Sequence, residues 1–213
     1  MSNQWLELPD AHMRFRIERI PAEKEITGKH YLSQTNFRSL FQGKVVVEEK
    51  LDGKQVTKIF TTETGKTFIL CGEYMRYVHS IQYDRLPGLY IVWDVYDPSA
   101  NTFVGYDDKV TMSHKYNFPI PPLVFQGTTT YDKVVKLLDR KSSFGREIQE
   151  GIVVKSLDSK HRGKIVRHEF VAGVELQGHW TRIKGLVKKN RVSYGQETWQ
   201  ESALQTQKGR CGQ

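Results

Sequence analysis

Three valines and two glutamates run into Lys50-Leu51-Asp52-Gly53, so an amine closes a strand-like stretch and a carboxylate and a glycine follow it. A lysine in that place is either a solvated residue at a turn or a nucleophile held in a pocket. Further stretches carry residues of matching type: Gly72-Glu73 in LCGEYM, Trp93-Asp94 in YIVWDVYD, Glu150 to Lys155 in EGIVVK, and Lys164 to Arg167 in RGKIVRHEF. Carboxylates suit hydroxyls and hard divalent cations, lysines and arginines suit phosphates, and a tryptophan offers a flat face for stacking. Each stretch also has a plainer reading, as a turn, a capping charge or a solvated strand end, with Trp93 a core aromatic on a buried strand. Their joint occurrence, in this order, favours chemistry over chance.

Such a set works only if a scaffold brings it together. Runs at 44–49, 56–61, 67–74, 89–96 and 102–105 read as strands, separated by TETG at 62–65, LPG at 86–88 and DPSAN at 97–101. A helix is predicted over 130–141, with Val134, Leu137 and Leu138 on one face, and strands again over 151–156 and 164–171. The proline-rich FPIPPLVF at 118–125 reads as an extended connector, and the basic tail from about Val174 as helical. There is no internal repeat. The order predicts an α+β domain of mostly antiparallel sheets, with the chemically suited residues near strand ends.

With 213 residues the chain can form one large domain, or one domain with an appendage, around a real core. No apolar run approaches the ~20 residues of a membrane span. The start, MSNQWLELPD, has neither the basic nor the apolar region of a secretory leader. Cys71 and Cys211 are too few for a disulfide framework or a zinc site, which favours a reducing compartment and a cytoplasmic location. The net charge of +8 suits a polyanionic partner such as nucleic acid.

In this combination the chain resembles the covalent nucleotidyltransferase superfamily of polynucleotide ligases and messenger-RNA capping enzymes. Within it, the resemblance is to RNA ligases of the type represented by the second RNA ligase of bacteriophage T4. Lys50-Leu51-Asp52-Gly53 matches motif I of that family, Gly72-Glu73 motif III, Trp93-Asp94 motif IIIa, Glu150 to Lys155 motif IV, and the region of Lys164 motif V. HSIQYDRLPGLYIVWDVYD at 79–97 and SSFGREIQEGIVVK at 142–155 are similar to the stretches these ligases place before motifs IIIa and IV.

The resemblance implies a ligase adenylation domain of antiparallel sheets flanked by helices at 1–173, then a short basic helical tail at 174–213. Too few residues follow motif V for the OB-fold barrel of cellular DNA ligases and capping enzymes. The implied activity is that of an ATP-dependent RNA ligase. Lys50 takes AMP from ATP as a lysyl-AMP intermediate, AMP passes to a 5′-phosphate RNA end, and a 3′-hydroxyl end displaces it.

In this scheme Lys164 contacts the α-phosphate, with Lys155 and Arg167 in support. Glu73 and Glu150 hold ribose hydroxyls and Mg²⁺, or Mn²⁺ in its place. Trp93 stacks on adenine and Glu49 meets its amino group. Asp52 accepts from ribose hydroxyls or orients the lysine, and Gly53 allows a tight turn. Because a lysine with its ordinary pKa near 10.4 is protonated at neutral pH, Lys164, Lys155 and the metal are expected to lower that of Lys50. The partners implied are ATP and RNA, with no membrane.

Two departures stand out. Between Lys50 and Glu73 there is one compact hairpin and no arginine, where the family carries a longer insertion with an arginine that contacts the incoming strand. The paired lysines of motif V are replaced by Lys164-Ile165-Val166-Arg167. The competing readings are a small ATP-dependent DNA ligase, a capping-type nucleotidyltransferase, and a basic RNA-binding module that keeps the fold without the chemistry.

Overall fold

A strand buried on both faces needs a layer of structure on each side. Lys44–Lys50 (β1) is such a strand, buried without interruption from Val45 to Glu49. The computed structural model describes residues 17–20, 31–170 and 188–193, and in it two four-stranded sheets supply most of the layers. The remaining strands are Lys54–Thr61 (β2), Thr67–Tyr74 (β3), Tyr90–Asp97 (β4), Thr102–Phe103 (β5), Leu123–Thr128 (β6), Gly151–Ser156 (β7) and Arg162–Val166 (β8). The first sheet has the order β6-β1-β7-β8 and the second β2-β3-β4-β5, and every pairing of named strands is antiparallel.

Each sheet turns one face to helices. Val45 and Val47 of β1 and Ile152 and Val154 of β7 pack on Leu40 of α1 (Gln34–Phe41) and Val134 of α3 (Tyr131–Val135). Phe60, Phe68, Leu70 and Val92 pack with Phe118 and with Met112 and Tyr116 of α2 (Tyr106–Tyr116). Side chains alternate along a strand, so Glu48 and Lys50 of β1 point the other way from these valines. So do Cys71 and Glu73 of β3 and Trp93 of β4 with respect to the second helix-covered core.

The mixed α+β class and antiparallel pairing agree with the sequence reading; several elements differ in detail. The 118–125 stretch is more than a connector, since its second half is strand β6. Its prolines have no N–H to donate, but their carbonyls accept: Val92 N–H donates to Pro119 O at 2.8 Å and Glu49 N–H to Pro122 O at 3.0 Å. One proline segment therefore touches both sheets.

The helix expected over 130–141 is α-helical only to Val135 and tightens to a 3₁₀ turn over Lys136–Asp139. There the buried Gln149 side chain donates to Leu137 O at 2.6 Å, which takes up a carbonyl a longer helix would use. Helices α1 and α2 were not foreseen. Of the expected helical tail, 188–193 runs extended, bonded to the loop after β3, and the rest lies outside the described residues. Among the described residues no helix is long and apolar enough to cross a membrane.

Candidate active site

Lys50 is the last residue of β1 and pairs with Gly151, the first of β7, so Glu150 lies next to the residue directly across from it. Lys50 Nζ sits 2.5 Å from Glu150 Oε1, with the lysine side chain 20% exposed and the glutamate 5%. The second sheet brings Glu73 and Trp93 to the same place, and β8 brings Lys164. Together with Lys155 and Ile17 they line a cleft of about 230 Å³ between the sheets. Residues 17–20 lie along β8, with Lys164 N–H donating to Glu18 O and Ile20 N–H to Lys164 O.

The electrostatics differ from the expectation for Lys50. Burial pushes its pKa down, but Glu150, Asp52 and Glu73 together outweigh that and hold it above the ordinary lysine value. The carboxylates carry the reciprocal strain. Burial raises Glu73 to about 8, with Lys50 opposing and Glu150 and Asp52 adding to the rise. Burial likewise raises Glu150 to about 7 against the pull of Lys50. Lys164 lowers both glutamates, which puts its charge within reach of the cluster.

Glu73 Oε2 and Glu150 Oε2 are buried with no hydrogen-bond partner. An orphaned buried carboxylate oxygen is costly. A hard divalent cation that keeps several of its ligands as water or phosphate oxygens suits such a pair. Among the described residues no group of three or more metal-binding side chains is formed, so the protein would supply a minority of the ligands.

Beneath the cleft lies a charge network that spacing did not reveal. Lys155 Nζ, 1% exposed, donates to Trp93 O at 2.5 Å and Asp94 Oδ1 at 2.8 Å, and lies 2.8 Å from Glu48 Oε2. Lys109 of α2 donates to Glu48 Oε1 at 2.6 Å and Trp93 O at 3.1 Å. Arg162 donates to Asp94 Oδ2 at 2.9 Å and lies over the Phe103 ring. Burial raises the Glu48 carboxyl, but the charges of Lys109 and Lys155 and their hydrogen bonds together hold it below its usual range. Two carboxylates, one from each sheet, thus meet three cations, two from the first sheet and one from helix α2.

Close packing accounts for the motif glycines. A methyl group at Gly151 would meet Ile165 O at 2.2 Å, one at Gly72 would meet Ile91 O at 2.6 Å, and one at Gly53 the Met75 sulfur at 2.6 Å. None of the three has positive φ, so Gly53 serves close approach and not the turn geometry expected of it. Gly151→Ala meets rigid backbone, and overpacking of this kind costs about 1–3 kcal/mol or more. It should lower the melting temperature by several degrees, whereas Gly43→Ala, with nothing within 4 Å, should leave it unchanged. Thermal unfolding of both variants checks this.

The RNA ligase family model matches residues 61–167, from the end of β2 to just past β8. The chain belongs to the RNA ligase family. The match contains Glu73, Trp93, Glu150, Lys155, Lys164 and Arg167 but begins after Lys50. Among solved structures, this chain is similar to the Naegleria gruberi RNA ligase with PPi, at 17% identity and a TM-score of 0.57, over 79% of this chain and 60% of that one. It is similar to an archaeal ATP-dependent RNA ligase, at 17% identity and a TM-score of 0.52, over 78% of this chain and 50% of that one. A variant of the Naegleria gruberi enzyme with ATP and Mn matches at 15% identity and a TM-score of 0.54, over 65% and 54%. At these identities the likeness is one of fold, and the chain spans about half to three-fifths of each of these structures. No curated protein matches the chain.

Within this family member the residues singled out by sequence do not all converge. Lys50, Glu73, Trp93, Glu150 and Lys164 do. Lys155 lies at the cleft floor with its three N–H bonds directed at Trp93 O, Asp94 and Glu48. Glu49 lines the cleft, yet its carboxylate lies on the opposite face of β1, accepting from Ser142 Oγ at 2.5 Å and Ser143 N–H at 2.9 Å. Asp52 accepts from Ser80 N–H at 2.8 Å, and His79 lies 3.9 Å from it. Arg167 points to Glu169 at 3.5 Å, although its N–H reaches Glu150 O. Glu48, Asp94, Lys109 and Arg162 were missing from the expected site. Only the charges inside otherwise apolar runs, at Glu48 and Asp94, hinted at them.

Proposed function

We propose that this chain is an ATP-dependent RNA ligase whose first step loads AMP onto Lys50. The observation that carries the reading is the cleft between the sheets, where one amine meets two glutamates with unpartnered oxygens and lies within the field of Lys164. Lys50 Nζ attacks the α-phosphorus of ATP; the N–P bond forms, the P–O bond to the β-phosphate breaks, and pyrophosphate leaves with the electron pair. The amine must first lose a proton, and Glu150 at 2.5 Å is positioned to hold it. Glu73 and Glu150 would hold a divalent cation, which when bound offsets the carboxylate charge that keeps the amine protonated and neutralises phosphate. Lys164 steadies the α-phosphate, and Trp93, whose buried indole N–H has no partner, presents its ring to the base.

AMP then passes to a 5′-phosphate RNA end, and a 3′-hydroxyl displaces it to close the strand. Glu73 and Glu150 lie beside the amine as this reading requires. Lys155, by contrast, acts through Asp94 and Glu48, and Glu49 meets the nucleotide through its backbone. Residues 1–173 form the transferase unit in this reading, with 174–213 appended to it.

Intact-mass spectrometry tests the first step. Incubation with ATP and Mg²⁺ should add one AMP, and EDTA or replacement of ATP by GTP should abolish the adduct. A GMP adduct would favour a capping-type enzyme, and no adduct at all a binding module. Lys164→Ala should slow adduct formation about 10²- to 10³-fold with unchanged thermal stability, the scale for losing one preorganised charge at a transition state. A rate within threefold of the parent would remove Lys164 from the chemistry.

A further inference from the structure

Residues 76–86 and 188–193 form a short ladder after β3. Asn190 N–H donates to Arg76 O, Val78 N–H to Lys188 O, Arg191 N–H to Tyr83 O and Leu86 N–H to Arg191 O, all within 2.9–3.0 Å. Asn190 is buried and pins the pair, donating to Met75 O and Tyr77 O while its Oδ1 accepts from Tyr83 N–H. The ladder sits beside the nucleophile, because its Ser80 N–H holds Asp52, two residues from Lys50.

Its exposed charge is mostly basic. Lys188, Lys189 and Arg191 are exposed and Arg76 is half-buried, and none of them pairs with a carboxylate among the described residues. Asp84 is the one acid within 76–86 and 188–193, and Arg85 and Arg146 pair with it. Tyr77 is 36% exposed, one of the few large apolar side chains left outside, and is paired across the ladder with Lys189. Cations flanking an exposed aromatic ring suit a flexible polyphosphate whose bases are free to stack. A duplex would offer phosphates but no base face to Tyr77.

We propose that this ladder docks a single-stranded RNA segment, its phosphates on Lys189, Arg191, Lys188 and Arg76 and one base on Tyr77, as the strand approaches the cleft. The proposal rests on the ligase reading for its direction but is tested without it.

The test is fluorescence anisotropy of a labelled oligouridylate against KCl concentration, using the full chain. Lys189→Gln/Arg191→Gln should bind about tenfold or more weakly at low salt, and the slope of log K against log[salt] should shrink by about 1.4, at ~0.7 per lost contact on a single strand. Tyr77→Ala should weaken binding about fivefold or more with the slope unchanged. Parental affinity and slope in the double variant would overturn the proposal. So would equal competition by duplex RNA of the same length. AMP loading, followed by mass in the same samples, should be unaffected in both variants. If the parent chain bound RNA through the ladder but took up no AMP, the ligase reading would fail and the docking surface would stand.

Discussion

Lys50→Ala should yield a folded protein that gains no mass from ATP and Mg²⁺ under conditions that load the parent fully. The amine is the group that the ligase reading makes the nucleophile, with Lys164 serving only as a charge on the phosphate, so its removal leaves no slower route. Stability should change little, since the lysine side chain is one-fifth exposed and Glu150, already raised to about 7, can take a proton when its partner goes. Lys50→Arg sharpens the result. It restores the positive charge beside Glu150, but a guanidinium is never deprotonated in a protein and is not a nucleophile. The arginine variant should therefore match the parent in melting temperature and the alanine variant in its lack of adduct. An AMP adduct on the arginine variant would place the nucleophile elsewhere.

The second large effect concerns stability. Lys155→Met removes one cation from the buried network and leaves Glu48 with only Lys109, and Asp94 with only Arg162. Breaking a buried pair from one side costs about 3–5 kcal/mol because a charge is left without its partner. In a chain of this size that corresponds to a fall in melting temperature of about 6–20 °C. Lys66→Ala is the natural control: Lys66 lies 2.7 Å from Asp97 but is 51% exposed, and exposed pairs contribute about 0–1 kcal/mol. Similar small losses in both variants would show that the network is solvated.

The sequence was most legible where position along a strand decides which way a side chain faces. Lys50, Glu73 and Glu150 stand at or beside strand ends and Trp93 on the inward face of β4, and antiparallel pairing brings them to one cleft. Helix α2 was invisible because a lysine, Lys109, occupies its buried face and breaks the apolar period by which helices are recognised. The partners of Lys155 escaped for another reason. Asp94 is 61 residues away and joined only through folding, so no local spacing encodes the pair. The side-chain direction of Glu49 follows from alternation, which sets Glu48 and Lys50 on one face and Glu49 on the other.

The ionic floor beneath Trp93 has a further consequence for nucleotide traffic. Hinging the two sheets apart to admit a ligand would pull Lys155 from Asp94 and strand unlike charges in a medium with little power to screen them. The halves of the molecule are thus riveted at their base. In the ligase reading, adenylate and pyrophosphate would then exchange by local movement around Lys50 and Lys164, with the sheets kept together.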